Sequence, residues 1–209
     1  MIKNLLFDLG GVVMDIRREN CVEAFRKLGM ADPDRYLGDY SQSGPFAGIE
    51  NGSLSVEQFH DAIRSIMGRP DLPAELIDHA FEQFLIGIPR RRLEALRSLH
   101  SRFHLYVLSN TNPIMWNGFI SKEFTQEGHD VNHYFDGIVR SYKAGCMKPD
   151  PRIFTFTAAH LGIKPEETLF LDDSQRNLDA AATLGYHILL VPPGSEFIDL
   201  LKQYPGLDL

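Results

Sequence analysis

Asp8 closes the apolar run Ile2-Lys3-Asn4-Leu5-Leu6-Phe7 and is followed by Leu9, Gly10 and Gly11. An apolar run of strand length that ends in a carboxylate and two glycines predicts a buried strand passing into a loop with unusual backbone angles. Open α/β sheets bind ligands at such strand ends. Three later stretches carry groups of the same kind. Leu105-Tyr106-Val107-Leu108 runs into Ser109, Asn110 and Thr111; Lys148 precedes Pro149 and Asp150 at a helix start; Thr168-Leu169-Phe170-Leu171 runs into Asp172 and Asp173. A carboxylate can act as a nucleophile, an acid pair can offer oxygen ligands to a hard cation, and a lysine with small hydroxyl and amide groups can hold an anion. Singly, each has a structural explanation: a turn aspartate beside glycine, acids capping the next helix, a surface lysine. Together, in this order, they form a specific set.

The elements that must position these groups alternate regularly from Pro89 onward. The pattern predicts helices at 89–101, 113–119, 151–161, 175–184 and 196–203, and strands at 104–108, 138–141, 168–171 and 187–191. Asp150 before Pro151 is an N-cap, and Gly185 closes the helix before it. With the first strand, this is a Rossmann-like α/β arrangement: a parallel five-stranded sheet with helices on both faces. Residues 1–14 and 88–209 make up this core. Residues 15–87 lose the strand-like runs and read as a small all-helical insert, with helices at 20–28, 34–40, 56–67 and 74–85. Ser55 with Gln58 forms a capping box before the apolar face of Phe59, Ile63 and Ile66. The insert leaves the sheet just after Asp8 and returns before the second strand, which places it above the strand ends. Residues 121–132 are polar and give no element.

A chain of 209 residues with 44% hydrophobic content can bury one substantial core and leave residues for a smaller unit. The formal net charge of -7 argues against nucleic acid as a partner, which needs a basic surface. Arg90-Arg91-Arg92 is the densest basic cluster and reads as the solvated first turn of a helix. Cys21 and Cys146 offer neither a disulfide framework nor a zinc motif, which fits a reducing, cytoplasmic setting. Asp8 interrupts the apolar N-terminal run, so a secretion signal is not expected, and no run reaches membrane-span length. A monomer or weak homodimer with no membrane association is expected.

The four stretches, in this order and across nearly the whole chain, resemble the haloacid dehalogenase (HAD) superfamily of hydrolases. Within it, Asp8-Leu9-Gly10-Gly11, Leu108-Ser109-Asn110-Thr111-Asn112 and Asp172-Asp173-Ser174-Gln175-Arg176-Asn177 are most similar to bacterial sugar-phosphate phosphatases acting on alpha-D-glucose 1-phosphate. The resemblance implies that residues 15–87 are a helical cap over the site, able to exclude water and select the leaving group. It also implies a small phosphorylated metabolite as substrate and an aspartyl-phosphate on Asp8. Phosphate monoesters resist attack by water, so an enzyme must supply a nucleophile and neutralise charge. The family's sheet order makes Asp8 a neighbour of Asp172 and Asp173. Two carboxylates about 4 Å apart repel by roughly 4 kcal/mol at an effective dielectric near 20, so three of them beside a phosphate need a cation. Oxygen-only ligands indicate Mg2+. The resemblance assigns it to a carboxylate oxygen of Asp8, the backbone carbonyl of Gly10 and one acid of the pair, with Asp173 in direct contact and Asp172 behind it. On the same resemblance, Ser109 and the backbone amides near Asn110 and Thr111 would hold the phosphate oxygens, Lys148 would offset the charge of Asp8 and phosphate, and Asn177 would tie down the acidic loop.

Gly10 departs from the family's commonest pattern, which places a second aspartate there to protonate the leaving oxygen. General acid-base help is typically worth about 10²- to 10⁴-fold, so a slower enzyme that prefers easily departing leaving groups is expected. Asp15, near the cap hinge, is a candidate replacement acid or a plain helix N-cap. A haloacid dehalogenase and a non-catalytic phosphometabolite-binding protein are the alternatives. The first needs no metal and lacks the paired acids; the second would not need Asp8. A phosphoglucomutase would need the acid-base group missing at Gly10. Phe46 and Glu50 are candidate pocket contacts from the insert. Trp116 reads as a core or cap contact, and His129 with His133 lacks a third ligand for zinc.

Overall fold

The computed structural model describes residues 1–38 and 41–207. Its centre is a five-stranded sheet whose outer strands flank β1 (Asn4–Phe7) in the order β5, β4, β1, β6, β7. The partners are β4 (His104–Ser109), β5 (Gly137–Arg140), β6 (Thr168–Asp172) and β7 (His187–Leu190). All of the pairings are parallel, with Phe7 level with Val107 on one side and Leu171 on the other. This is the α/β architecture expected from the alternation.

Strands β1 and β6 are buried along their whole length, as strands covered on both faces must be. Their side chains alternate between the two layers. Leu5 and Phe7 face one core, where Phe7 meets Phe197 and Phe135 edge-on at 5.3 and 6.1 Å; Leu6 packs into the other with Leu108, Phe154 and Phe170. The covering helices of this half are α5 (Arg90–His100), α8 (Pro151–Leu161), α9 (Gln175–Ala182) and α10 (Phe197–Lys202).

The insert carries α1 (Arg18–Leu28), α2 (Gly44–Glu50), α3 (Val56–Met67) and α4 (Ala74–Glu82). Helix α3 starts with the expected capping box: Ser55 Oγ accepts from Gln58 N–H at 3.2 Å, and Gln58 Oε1 accepts from Ser55 N–H at 2.9 Å. Phe46 is fully buried at the centre of this unit, edge-on to Phe25, Phe59 and Phe81 at 5.1, 5.3 and 5.0 Å. It is a packing residue of the insert and does not line the cleft, contrary to the expectation of a pocket contact.

Four local readings change. Helix α4 stops at Glu82, and Leu85–Gly87 is instead a strand, β3, antiparallel to β2 (Asp15–Ile16). The partner of β3 lies at the other crossing between insert and core, so local periodicity could not reveal it. Helix α2 was not expected, because it opens on Gly44 and Pro45; proline is tolerated in a first turn, where its missing N–H costs nothing. The helix expected at 34–40 reduces to a 3₁₀ turn, Pro33–Arg35, and positions 39 and 40 lie outside the described residues. After β4, helix α6 runs from Pro113–Met115 through a π turn, Trp116–Ile120, to Ser121–Glu123, and short 3₁₀ turns follow at Phe124–Glu127 and Val131–His133. Among the described residues no helix is long and apolar enough to cross a membrane.

Candidate active site

Parallel pairing brings the C-terminal ends of β1, β4 and β6 side by side, so Asp8, Ser109 and Asp172 meet at one edge of the sheet although far apart in the chain. The backbone N–H of Asp8 donates to the Leu171 carbonyl at 2.9 Å, continuing the β1–β6 ladder into the loop. One oxygen from each of Asp8, Asp172 and Asp173 falls within 4.8 Å of the others. Among the described residues this is the one such group of three ligand-bearing side chains.

Lys148 enters this cluster from the loop before α8. Its Nζ lies 2.9 Å from Asp8 Oδ1 and 2.7 Å from Asp172 Oδ2, and the side chain is 1% exposed. Asp172 is completely enclosed, and both its oxygens are engaged: Oδ2 by Lys148, Oδ1 by the Ser174 N–H at 2.8 Å and Asn177 Nδ2 at 2.9 Å. Asn177 therefore holds the acidic loop. Asp173 has no ion pair and no hydrogen bond from another residue's side chain among the described residues, and it lines the cleft. Asp8 Oδ1 also accepts from the Leu9 N–H at 2.7 Å.

Among the described residues, three acids face a single lysine, and the electrostatics show the excess. Burial, opposed by Lys148 and reinforced by Asp172 and Asp173, pushes the Asp8 carboxyl up to about 8. Burial and the neighbouring Asp172 push Asp173 up to about 6. For Lys148, burial works downward, but Asp172 and Asp8 outweigh it and hold the ammonium above its ordinary range. A cluster of carboxylate oxygens that cannot all ionise together fits a hard divalent cation.

The second glycine of the first loop has a steric reason. Gly11 sits at φ +76°, and a Cβ there would overlap Asp173 Oδ2 and come within 2.8 Å of Asp173 Cγ. Gly10 is less constrained. A Cβ at Gly10 would make only ordinary contacts of 3.5 and 3.6 Å with Ile16.

The loop after β4 divides its groups between two tasks. Asn110 brackets Lys148, its Nδ2 donating to the Lys148 carbonyl at 3.0 Å and its Oδ1 accepting from the Lys148 N–H at 2.9 Å. The Thr111 N–H, expected to face phosphate, donates to Ser141 Oγ at 3.0 Å. Ser141 Oγ in turn donates to the Glu50 carbonyl at 2.6 Å, joining the end of insert helix α2 to this loop. The hydroxyl of Ser109 remains in the cleft wall with only a long 3.4 Å contact to its neighbour's carbonyl. Ser141 was not legible in the sequence, where it reads as the end of a strand.

The cleft over these groups is lined by Asp8, Gly10, Ser109, Lys148 and Asp173 below and by insert residues above. Glu50 is one of these insert residues. Asp15 is not among the lining residues; its Oδ1 accepts from Arg92 Nη1 at 2.8 Å, which removes it as a replacement acid. Arg92 is correspondingly buried, 4% exposed, and pairs with Glu196 as well, so the basic cluster is not wholly a solvated turn. Trp116 is buried, with the Arg140 guanidinium 4.7 Å from its ring centre. The rings of His129 and His133 stack at 3.7 Å outside any ligand cluster among the described residues.

Comparison with known proteins agrees with this geometry. A family described as haloacid dehalogenase-like hydrolase matches residues 2–185. D-ribitol-5-phosphate phosphatase from Bacteroides thetaiotaomicron is 39% identical over 197 residues, which is 94% of this chain and 95% of that protein. A HAD family enzyme from the same species, solved as wild type in complex with magnesium and inorganic phosphate, superposes with a TM-score of 0.89 at 36% identity, covering 96% of this chain and 99% of that one. L-2-haloacid dehalogenase from Xanthobacter autotrophicus, with a TM-score of 0.63 at 17% identity over 100% of this chain and 85% of its own, shares the fold. On the match over most of its length, the chain belongs to the haloacid dehalogenase-like hydrolases.

Proposed function

We propose that the protein is a magnesium-dependent phosphatase of small sugar or polyol phosphates, with residues 15–87 as a cap over a core of residues 1–14 and 88–209. The observation that carries this reading is the ion-paired Lys148 between Asp8 and Asp172, with Asp173 left open beside them. Asp8, the Gly10 carbonyl and Asp173 would hold the magnesium, and Asp172 would steady them from behind. When bound, the ion supplies positive charge against the carboxylates and the phosphate.

Asp8 Oδ1 is occupied by Leu9 and Lys148, which orients the carboxylate with its other oxygen toward the cleft. That oxygen forms a bond to phosphorus as the bond to the leaving alcohol oxygen breaks. Lys148 offsets the charge that gathers between Asp8 and the phosphoryl oxygens, and Ser109 donates to one of those oxygens. Water then cleaves the aspartyl-phosphate, releasing phosphate and restoring Asp8.

D-ribitol 5-phosphate, the substrate named for the relative, and alpha-D-glucose 1-phosphate, suggested by the motifs, are the first compounds to try. The buried free cysteines Cys21 and Cys146 support a reducing, cytoplasmic setting. The paired acids favour phosphatase over dehalogenase. The test is phosphate release from para-nitrophenyl phosphate and from these two esters, with magnesium or a chelator, for wild type and Asp8→Asn. Magnesium-dependent release lost in Asp8→Asn supports the reading. Release that survives in Asp8→Asn, or none from a broad panel of phosphate esters, overturns it.

A further inference from the structure

Glu50 ends cap helix α2 and lines the same cleft as Asp8. It is 7% exposed, and among the described residues its carboxyl has no ion pair and no hydrogen bond. A carboxyl that opens on a cleft and has no protein partner is a candidate for contact with a ligand. The other insert residues that line the cleft are Ile16, Phe84, Leu85 and Gln42. Three of these are apolar, and the side-chain Oε1 of Gln42 already accepts from the Gly38 N–H at 3.1 Å.

The position of Glu50 relative to the phosphate end of the cleft is held from both sides. Its backbone carbonyl accepts from Ser141 Oγ at 2.6 Å, and the same hydroxyl accepts from Thr111 N–H at 3.0 Å in the loop that follows Ser109. At Gly52, two residues on, the backbone passes so close to the Tyr142 carbonyl that a Cβ would overlap it. The end of α2 is thus tied to the core beside the reacting groups.

We propose that Glu50 reads the leaving group, its carboxyl exchanging hydrogen bonds with a hydroxyl of a sugar or polyol phosphate whose phosphoryl group sits at Asp8. This rests on the phosphatase reading above. The environment matches a neutral partner. Burial pushes the Glu50 carboxyl up to about 8, so near neutral pH it can both donate to and accept from a hydroxyl without a buried charge. A site built around such a bond rejects esters that lack the hydroxyl, because the carboxyl is then left unpaired.

The experiment measures kcat/KM for wild type, Glu50→Gln and Glu50→Leu on para-nitrophenyl phosphate and on the better of D-ribitol 5-phosphate and alpha-D-glucose 1-phosphate. The quantity read is the ratio of the hydroxylated ester to the aryl ester. Glu50→Leu is expected to lower that ratio about 10- to 100-fold, mainly through KM, and Glu50→Gln to recover a large part of it. A ratio unchanged in both variants, or an equal loss on both esters through kcat, overturns the proposal. Wild type active on the aryl ester but on neither hydroxylated ester also overturns it. Activity that survives Asp8→Asn would instead remove the underlying phosphatase reading. Should Glu50→Leu fail to fold, Glu50→Ala carries the same ratio test, with the same loss expected and an unchanged ratio overturning the proposal.

Discussion

Asn110 and Lys148 hold each other through a pair of hydrogen bonds, with the Asn110 amide spanning both the N–H and the carbonyl of Lys148. The loop after β4 thereby fixes the backbone of the cation that meets Asp8 and Asp172. Asn110→Ala is expected to lower kcat on para-nitrophenyl phosphate by about 10- to 100-fold, since a small displacement of a charge-neutralising group is felt in the transition state. Steady-state kinetics beside a melting curve check this: a loss of stability without a loss of kcat would contradict the positioning role.

The two glycines of the first loop should answer differently to substitution. Gly11→Ala introduces a methyl into the space of Asp173 at a left-handed backbone position, and activity should fall by about 10²-fold or more with a stability loss of roughly 1–3 kcal/mol. Gly10→Asp meets no such obstacle at its Cβ, so the variant should fold and should gain an acid beside the leaving oxygen. Its benefit, up to about 10²-fold, should be greater for alkyl phosphates than for para-nitrophenyl phosphate, whose leaving group departs without a proton. Comparing kcat across a leaving-group series decides it.

Excess negative charge at the site has a pH signature. Asp8 is raised from its ordinary 3.8 to about 8, and Asp173 to about 6, so the folded chain holds more protons than the unfolded one between the unfolded and folded values. Stability is then fullest below the unfolded carboxylate range and falls as pH rises through 6 toward about 8. In magnesium-free buffer, wild type should melt several degrees lower at pH 8 than at pH 5, and Asp8→Asn should flatten that dependence while abolishing activity. Adding magnesium at pH 8 should raise the melting temperature by mass action. Scanning calorimetry at the two pH values, with and without the ion, would expose a wrong sign.

At the cap crossing, Arg92 joins Asp15 of β2 to Glu196 before α10 with ion pairs of 2.8 and 3.0 Å. Hydrogen bonds from Arg92, against the effect of burial and with help from Arg91, hold the Glu196 carboxyl down to about 2. A depressed carboxylate stabilises above its unfolded value of 4.5, and that contribution is lost as pH falls toward about 2. Arg92→Leu should cost about 2 kcal/mol near neutral pH, less than for a fully buried pair because Asp15 remains half-exposed. Urea unfolding at pH 7 and pH 3 should show the variant's deficit shrink at the lower pH.

By itself the sequence determined the sheet and the inventory of its chemistry. Strand-length apolar runs ending in Asp8, Ser109 and Asp172 carry their own burial pattern, and in a parallel sheet side-by-side strands align such endings automatically. The Ser55–Gln58 cap and the Asp150 N-cap were legible for the same reason: both depend on neighbours in the chain. What tertiary structure alone decided is which polar groups are already spent. Thr111 gives its N–H to Ser141, Asp15 is taken by Arg92, and Asp172 is enclosed while Asp173 stays open, each through a partner far away in sequence or by burial that no local pattern encodes. Phe46 and Glu50 make the same point within one helix. Four residues apart on one face of α2, Phe46 packs into the aromatic centre of the insert while Glu50, one turn further at the helix end, lines the cleft, because the elements packed against each turn decide what a side chain meets.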